Sequence, residues 1–208
     1  MKVLITDDHA IVRKGLIQLL REGYPEVVVM EAMNSNETLD YLHKNSFDVI
    51  LLDISMPGRN GMDTLKQLRA EGVRTPVLML SMHPESQYAI RCLKAGASGF
   101  INKESATEEL LIAVEKVLSG KKYITPSLAE KLADSMMTPE AKPLHETLSD
   151  REMEVLQQIA AGKTVSEIAD SISLSVNTIS TYRSRILEKL QLNNNAEITR
   201  YAFENGLV

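Results

Sequence analysis

Short apolar runs alternate with helix-spaced apolar residues along residues 1–118. The run Val49–Leu52 has no helical period, which is typical of a strand buried on both faces of a parallel sheet. We predict five strands, at Val3–Ile5, Val27–Met30, Val49–Leu52, Val77–Leu80 and Phe100–Ile101. Between these runs, as over Ala10–Leu20, apolar residues recur three and four positions apart and predict helices. Five strand–helix units indicate an α/β fold with a doubly wound, five-stranded parallel sheet.

Capping patterns mark where two of these helices begin. Asn34 followed three residues later by Glu37 predicts the start of the second helix. Ser105 and Glu108 have the spacing of a capping box, so they predict the start of a helix that reaches Leu118. We therefore expect the first domain to span residues 1–118.

Residues 119–145 differ in composition and predict a linker with a short helix. Thr125 followed by Pro126 resembles an N-cap with proline at the first helical position, so we predict a helix to about Ala133. From Ser135 to His145 the sequence has two prolines and little periodicity, which indicates a semi-flexible connection between two domains.

Residues 146–208 contain helix signals and no strand signal. Capping-box pairs begin the first two helices, Ser149 with Glu152 and Thr164 with Glu167. A long third helix is predicted from Ser175 to about Leu190, and a fourth over roughly Ala196–Glu204. A short second helix joined by a brief turn to a long third helix is typical of a helix-turn-helix unit. We therefore predict an all-α, four-helix domain.

Composition narrows the functional classes. The chain of 208 residues has a net charge of −5 and no broadly basic part, so nucleic-acid binding would have to use a local patch. The single Cys92 excludes an intramolecular disulfide and a cysteine metal cluster. No apolar run approaches the roughly 20 residues that span a bilayer, and the N-terminus lacks the features of a signal peptide. We expect a cytoplasmic protein with no membrane partner.

Acidic residues follow two of the predicted strands. Asp7 and Asp8 come after the first strand, and Asp53 ends the third. With the strand order 2-1-3-4-5 these two strands are neighbours at the switch point of the sheet, so the three carboxylates converge. Three close carboxylates repel one another and must either take up protons or bind a cation, and an all-oxygen site suits Mg²⁺.

Two further polar residues end the fourth and fifth strands and flank the same edge. The Lys103 ammonium group can neutralise the charge of an incoming phosphate, and the Ser81 hydroxyl can donate to a phosphoryl oxygen. Together with Asp53 these groups indicate phosphoryl transfer to a carboxylate.

These strand-end residues make residues 1–118 resemble a response-regulator receiver domain. The resemblance implies one role for each position: Asp53 as phosphoacceptor, Asp7 and Asp8 as acidic metal-pocket residues, the Ser55 backbone carbonyl as metal ligand, Ser81 as switch hydroxyl, Phe100 as switch aromatic and Lys103 as phosphate-binding lysine. In two places the chain departs from the family. Glu104 follows Lys103 where many receivers have proline. Phe100 lacks the hydroxyl of the commoner tyrosine, so its rotamer change cannot depend on a hydrogen bond.

Residues 147–208 resemble a LuxR-type helix-turn-helix domain. The resemblance lies in LSDREMEVLQQIAAGKTVSEIADSISLSVNTISTYRSRILEKL and the later AEITRYA. Joined to the receiver, this domain gives the two-part plan of the NarL/FixJ family. It implies a two-component transcription regulator with a sensor histidine kinase, double-stranded DNA and RNA polymerase as partners, and a homodimer on an inverted repeat when phosphorylated.

The third helix of this domain is the predicted reader of DNA. One face is apolar and is expected to pack on the first two helices, through Val176, Ile179, Ile186, Leu187 and Leu190. The predicted DNA-contacting residues are Asn177, Thr178, Ser180, Thr181, Arg183, Ser184, Arg185 and Lys189. Ser180 stands where relatives often carry lysine, so this face has few cations and a monomer should bind DNA weakly.

The last helix offers two interpretations. Ile198, Tyr201 and Ala202 share a spacing that fits either a pairing surface between two copies or packing on their own domain. We take the pairing surface as the prediction for the phosphorylated dimer.

Two other functions compete with this interpretation. A Mg²⁺-dependent phosphatase with an aspartyl nucleophile generally needs a second acid two residues further on, where this chain has Ser55. We therefore expect no enzyme, only a phosphoacceptor with at most self-phosphorylation and self-dephosphorylation. The helical domain could also bind a protein instead of DNA, since a fold alone does not determine a function.

Overall fold

The first compact unit of the protein is built on a parallel sheet. The computed structural model describes residues 1–137 and 143–208, which divide into the units Met1–Met136 and Met137–Val208. Five parallel strands form the sheet: β1 (Lys2–Thr6), β2 (Val28–Ala32), β3 (Val49–Asp53), β4 (Val77–Ser81) and β5 (Gly99–Asn102). Their order, β2-β1-β3-β4-β5, confirms the predicted topology.

Six helices accompany the sheet in this unit. They are α1 (Ala10–Gly23), α2 (Ser35–Lys44), α3 (Gly61–Ala70), α4 (Glu85–Lys94), α5 (Ala106–Leu118) and α6 (Pro126–Met137). Helices α1 and α5 contact each other, as do α2 and α3. Strands β3 and β4 are buried along their whole length, because helices cover both faces of a parallel sheet. This burial explains their continuous apolar runs.

Both helices start where the sequence predicted, but only one of the two predicted caps forms its side-chain hydrogen bond. Asn34 caps α2 by accepting a hydrogen bond from the Glu37 backbone N–H, as predicted. Ser105 makes no such bond at α5, so the predicted capping box is wrong. Its backbone angles (φ −97°, ψ 4°) lie outside the extended region that an N-cap needs, and its hydroxyl donates to the Asn102 carbonyl instead.

The segment that follows α5 is folded onto the first unit. The Tyr123 backbone N–H donates to the Ser98 carbonyl at the edge of the sheet. Thr125 caps α6 by accepting from the Leu128 N–H, as predicted. The helix continues to Met137, so the predicted end near Ala133 is wrong: no glycine or proline interrupts residues 127–137. Part of the predicted flexible connection, residues 138–142, lies outside the described residues.

The described part of the second unit consists of helices joined by turns and contains no strand. A 3₁₀ turn (Leu144–Thr147) precedes α7 (Asp150–Ala160), α8 (Val165–Ser171), α9 (Val176–Leu190) and α10 (Asn195–Glu204). Both predicted capping boxes are present, at the starts of α7 and α8. Helix α7 packs against α9 and α10, and four residues join α8 to α9, which is the predicted helix-turn-helix arrangement. No helix among the described residues has the length and apolar character to cross a membrane.

Candidate functional site

Three acids and one lysine meet at the carboxyl edge of the sheet. Asp53 is the last residue of β3 and is only 1% exposed, while Asp7 follows β1 and is fully buried. Asp8 is partly exposed beside it. The Lys103 ammonium nitrogen, after β5, lies 2.7 Å from Asp7 Oδ2 and 2.9 Å from Asp53 Oδ1. The structure therefore brings together the side chains that the strand ends predicted.

Burial controls the ionisation of this pocket. Desolvation raises the pKa of the Asp53 carboxyl to about 6; Lys103 opposes the rise and the charge of Asp7 adds to it. Burial alone would lower the pKa of Lys103, but the charges and hydrogen bonds of Asp53 and Asp7 reverse this and raise it. Lys103 is thus a stable cation beside a carboxylate that is costly to ionise.

The pocket has unused acceptors. Four buried carboxylate oxygens form no well-aligned hydrogen bond with the described residues: Asp7 Oδ2, Asp8 Oδ1 and both oxygens of Asp53. Lys103 forms ion pairs with only two of them. Three carboxylates beside one ammonium group leave an excess of negative charge, so the residues fit a hard divalent cation such as Mg²⁺.

Two residues support the pocket in ways that sequence reasoning missed. Arg13 is buried, and its guanidinium donates to the Asp7 carbonyl (2.7 Å) and to Glu31 (2.8 Å), which holds the turn after β1. A Cβ atom on Gly61 would collide with the Asp53 carbonyl oxygen, so only glycine allows α3 to start this close to β3. Ser55 lies between them in the β3–α3 loop and is half-buried.

The predicted switch residues lie on the two neighbouring strands. Ser81 ends β4, is fully buried, and its hydroxyl oxygen accepts from the His83 N–H at 2.9 Å. Phe100 lies on β5 with its ring buried, in register with Met79 of β4. The Asn102 amide, at the end of β5, contacts the His83 carbonyl at 3.4 Å. The loop after Ser81 is therefore tied to both strands.

Helix α9 presents the predicted reading face. Five of the predicted DNA-contacting residues are exposed and form no side-chain hydrogen bond or ion pair with described residues outside α9: Asn177, Ser180, Thr181, Ser184 and Arg185. The hydroxyls of Thr181 and Ser184 donate to carbonyls one turn earlier in the same helix, and each keeps acceptor capacity toward solvent. Arg185 is the exposed cation among these five, so the face is as poor in positive charge as its sequence predicts.

The other three predicted contacts have partners within the domain. The Thr178 hydroxyl lies 2.7 Å from the hydroxyl of Ser175, the N-cap of α9. Arg183 Nε donates to Asn195 at the start of α10. The Lys189 ammonium lies 2.6 Å from Glu152 of α7 and also donates to the Thr147 carbonyl, which ties α9 to the first helix of the domain. These side chains hold the reading helix in place.

The packed face of α9 is mostly as predicted. Ile179, Ile186 and Leu190 are buried and Leu187 is half-buried. Val176 is 47% exposed, so its predicted burial is wrong; as the first residue of the helix it precedes the turns that contact α7 and α8.

The predicted pairing surface on α10 requires a correction. Ile198 and Ala202 are fully buried and face α7, so they serve the domain core and are unavailable to a second copy. Tyr201 is half-buried, and its hydroxyl accepts from the His145 N–H. The large apolar side chain that α10 does expose is Phe203, at 78%.

Comparison with known proteins agrees with both units. Residues 3–115 match the family model of the response regulator receiver domain, and residues 146–202 match that of bacterial regulatory proteins of the luxR family. The response regulator UvrY of Escherichia coli is 32% identical over 208 residues, which cover 100% of this chain and 95% of UvrY. The response regulator GacA of Pseudomonas aeruginosa is 32% identical over 209 residues, which cover 100% of this chain and 98% of GacA.

A solved structure is similar over nearly the whole chain. RcsB from Salmonella enterica serovar Typhimurium, bound to promoter rprA in the presence of the phosphomimetic BeF₃⁻, is 28% identical with a TM-score of 0.66. The match covers 97% of this chain and 98% of RcsB. A receiver match over more than half of the chain, followed by a luxR-family match, shows that the chain belongs to the NarL/FixJ family of two-component response regulators and is a transcription regulator with a LuxR-type DNA-binding domain.

Proposed function

We propose that Asp53 accepts a phosphoryl group from the phosphohistidine of a sensor histidine kinase, and that this event controls dimerisation and promoter binding. The observation that carries the proposal is the position of Asp53: a buried carboxylate at the end of β3, with the Lys103 ammonium 2.9 Å from one of its oxygens.

The charge balance of the pocket favours this transfer. With a pKa of about 6, Asp53 is mostly ionised near neutral pH and can attack phosphorus. The new bond joins a carboxylate oxygen to phosphorus, while the phosphorus–nitrogen bond breaks and the imidazole of the kinase leaves. Lys103 offsets the negative charge of the phosphoryl oxygens. Because Ser55 stands where a phosphatase generally has its second acid, we expect at most self-phosphorylation and self-dephosphorylation.

Asp8, Asp53 and the Ser55 backbone carbonyl would hold Mg²⁺, with Asp7 completing the acidic pocket. When bound, the ion supplies positive charge beside the phosphoryl oxygens. Asp7 is already oriented for this role, because Arg13 fixes its carbonyl and Lys103 contacts its carboxylate.

The signal leaves the pocket through Ser81 and Phe100. We infer that the Ser81 hydroxyl turns from the His83 N–H to a phosphoryl oxygen, and that this movement holds Phe100 in the buried position that it occupies in this structure. In the cytoplasm, the protein would then bind an inverted repeat as a dimer, with one reading helix on each half-site. The bound dimer would contact RNA polymerase. The exposed polar residues of α9 would face the major groove.

Replacing the nucleophile tests the proposal. Asp53→Asn keeps the volume of the side chain and removes the attacking carboxylate, so uptake of phosphate from acetyl phosphate or a cognate kinase should fall to background. Intact-protein mass spectrometry measures the added phosphoryl group. Asp40→Asn, on the exposed surface of α2, is the matched control and should be phosphorylated like the original chain. An acid-labile phosphate on the Asp53→Asn chain would show that another residue is the acceptor.

A further inference from the structure

His9 stands at the mouth of the acidic pocket and has no assigned role. Its Nδ1 lies 2.9 Å from Asp8 Oδ1 and 3.3 Å from Asp7 Oδ1, and its side chain is 64% exposed. His9 is the N-cap residue of α1, yet its side chain makes no capping hydrogen bond. The ring therefore faces the carboxylates and does not cap a backbone N–H group of the helix.

The pocket behind His9 has independent signs of a cation site. Asp7 and Asp53 are buried, and three of their four carboxylate oxygens form no well-aligned hydrogen bond, although Lys103 pairs with one oxygen of each. One ligand atom each from Asp7, Asp8, His9 and Asp53 can be chosen so that all four lie within 4.8 Å of one another. Ligands on opposite sides of one ion are about 4–4.5 Å apart, since each bond is about 2.0–2.2 Å. The observed separations, at most 4.8 Å, are therefore close to those that one ion requires.

We propose that His9 supplies a nitrogen ligand to this pocket and so raises its affinity for transition-metal dications such as Mn²⁺ relative to Mg²⁺. Mg²⁺ prefers oxygen ligands and gains little from an imidazole, whereas affinity for transition metals rises when a nitrogen donor joins carboxylates. Nδ1 would give its lone pair to the metal, and the ring proton would reside on Nε2. This inference deepens the proposed phosphoacceptor site and rests on it.

The test is a spectroscopic search for the nitrogen ligand. Mn²⁺ is added to the full chain, free of added histidines, and electron spin-echo envelope modulation reads ¹⁴N nuclei bound to the ion. We expect an imidazole ¹⁴N signal from the original chain and its loss in His9→Ala. His43→Ala is the matched control, because His43 is equally exposed (63%) on α2 but remote from the pocket in sequence, and it should keep the signal.

Metal affinities supply the second measurement. The electron paramagnetic resonance of free Mn²⁺ gives its dissociation constant, and competition gives that of Mg²⁺. His9→Ala should weaken Mn²⁺ binding about tenfold or more and change Mg²⁺ binding less than about threefold. His9→Asn, which replaces nitrogen with an amide oxygen donor, should lose the ¹⁴N signal even where Mn²⁺ still binds.

Three outcomes would overturn the inference: no imidazole signal in the original chain, a signal that persists in His9→Ala, or equal losses of Mn²⁺ and Mg²⁺ affinity. Phosphorylation of the original chain in Mg²⁺ is scored separately. If Asp53 took up no phosphate while the ¹⁴N signal was present, the phosphoacceptor proposal would fail and the nitrogen ligand would stand.

Discussion

At the scale of single residues, Asp53 carries a charge that the folded chain disfavours. Its pKa rises from 3.8 to about 6 mainly because burial removes water from the carboxylate. Between these values the folded state keeps a proton that the unfolded state has released. The stability that this proton contributes is fully present below about pH 3.8 and is lost as the pH rises through about 6.

This ionisation predicts a pH-dependent stability difference between the chain and Asp53→Asn. Without divalent metal, the free energy of unfolding of the variant should increase relative to that of the original chain as the pH rises from 4 to 7. The expected slope is about 1.4 kcal/mol per pH unit, and the total is up to about 3 kcal/mol. Urea unfolding of the receiver at successive pH values measures it, and Asp40→Asn should follow the original chain. A constant difference from pH 4 to 7 would mean that Asp53 ionises normally. Added Mg²⁺ should stabilise only chains that keep Asp53.

The sequence predicts those pocket residues whose positions follow from the strand order alone. Asp53 and Lys103 end parallel strands, and all parallel strands end at one edge of the sheet, so their convergence follows from the strand order. Arg13 and His9 reach the pocket from α1, and the direction of a side chain at a helix start depends on tertiary packing. The sequence alone predicts Lys189 to be available for DNA, because its partner Glu152 lies 37 residues away along the chain.

At the scale of elements, one sequence pattern had two outcomes. Ser149 and Ser105 are each followed three residues later by glutamate, but only Ser149 forms the capping box. The backbone of Ser149 is extended (ψ 164°), whereas ψ is 4° at Ser105, next to the turn that carries Lys103 into the pocket. The requirements of the pocket thus override a local signal at the start of α5.

The start of α6 predicts a second effect at this scale. Thr125 accepts from the Leu128 N–H, and its hydroxyl lies 2.8 and 2.7 Å from the two oxygens of Glu85, the first residue of α4. Thr125→Val removes both links at nearly constant volume. Losing the cap should cost about 1 kcal/mol and speed amide exchange in the first turns of α6 about fivefold.

Hydrogen–deuterium exchange of peptides from the start of α6 measures this change. Thr107→Val, an exposed β-branched position in the first turn of α5, is the control and should leave α6 unchanged. Unaltered exchange in Thr125→Val would mean that other contacts, such as the buried Leu128, hold this helix start on their own.

At the scale of the whole molecule, we expect DNA binding to depend on joining two weakly binding copies of the reading helix. The reading face of α9 has few cations, and Lys189 and Arg183 already have partners within their own unit. Non-specific attraction to phosphate is therefore weak, and a single copy should bind a half-site poorly. Pairing makes the second contact intramolecular and raises its effective concentration, provided that the half-sites lie about one helical turn apart.

The last prediction concerns the surface that pairs. Since Ile198 and Ala202 are buried, we expect the exposed face of α10, with Phe203 at its centre, to form the contact between DNA-binding domains. With BeF₃⁻ and Mg²⁺ as phosphoryl mimic, sedimentation should show dimers, and an inverted repeat should bind at least about tenfold more tightly than one half-site. Phe203→Ser should remove most of this gain without changing half-site affinity, whereas Thr199→Ser, one turn earlier on α10, should retain it. A chain that stays monomeric with the mimic and binds a single half-site at full affinity would contradict both the pairing surface and the coupling of phosphorylation to assembly.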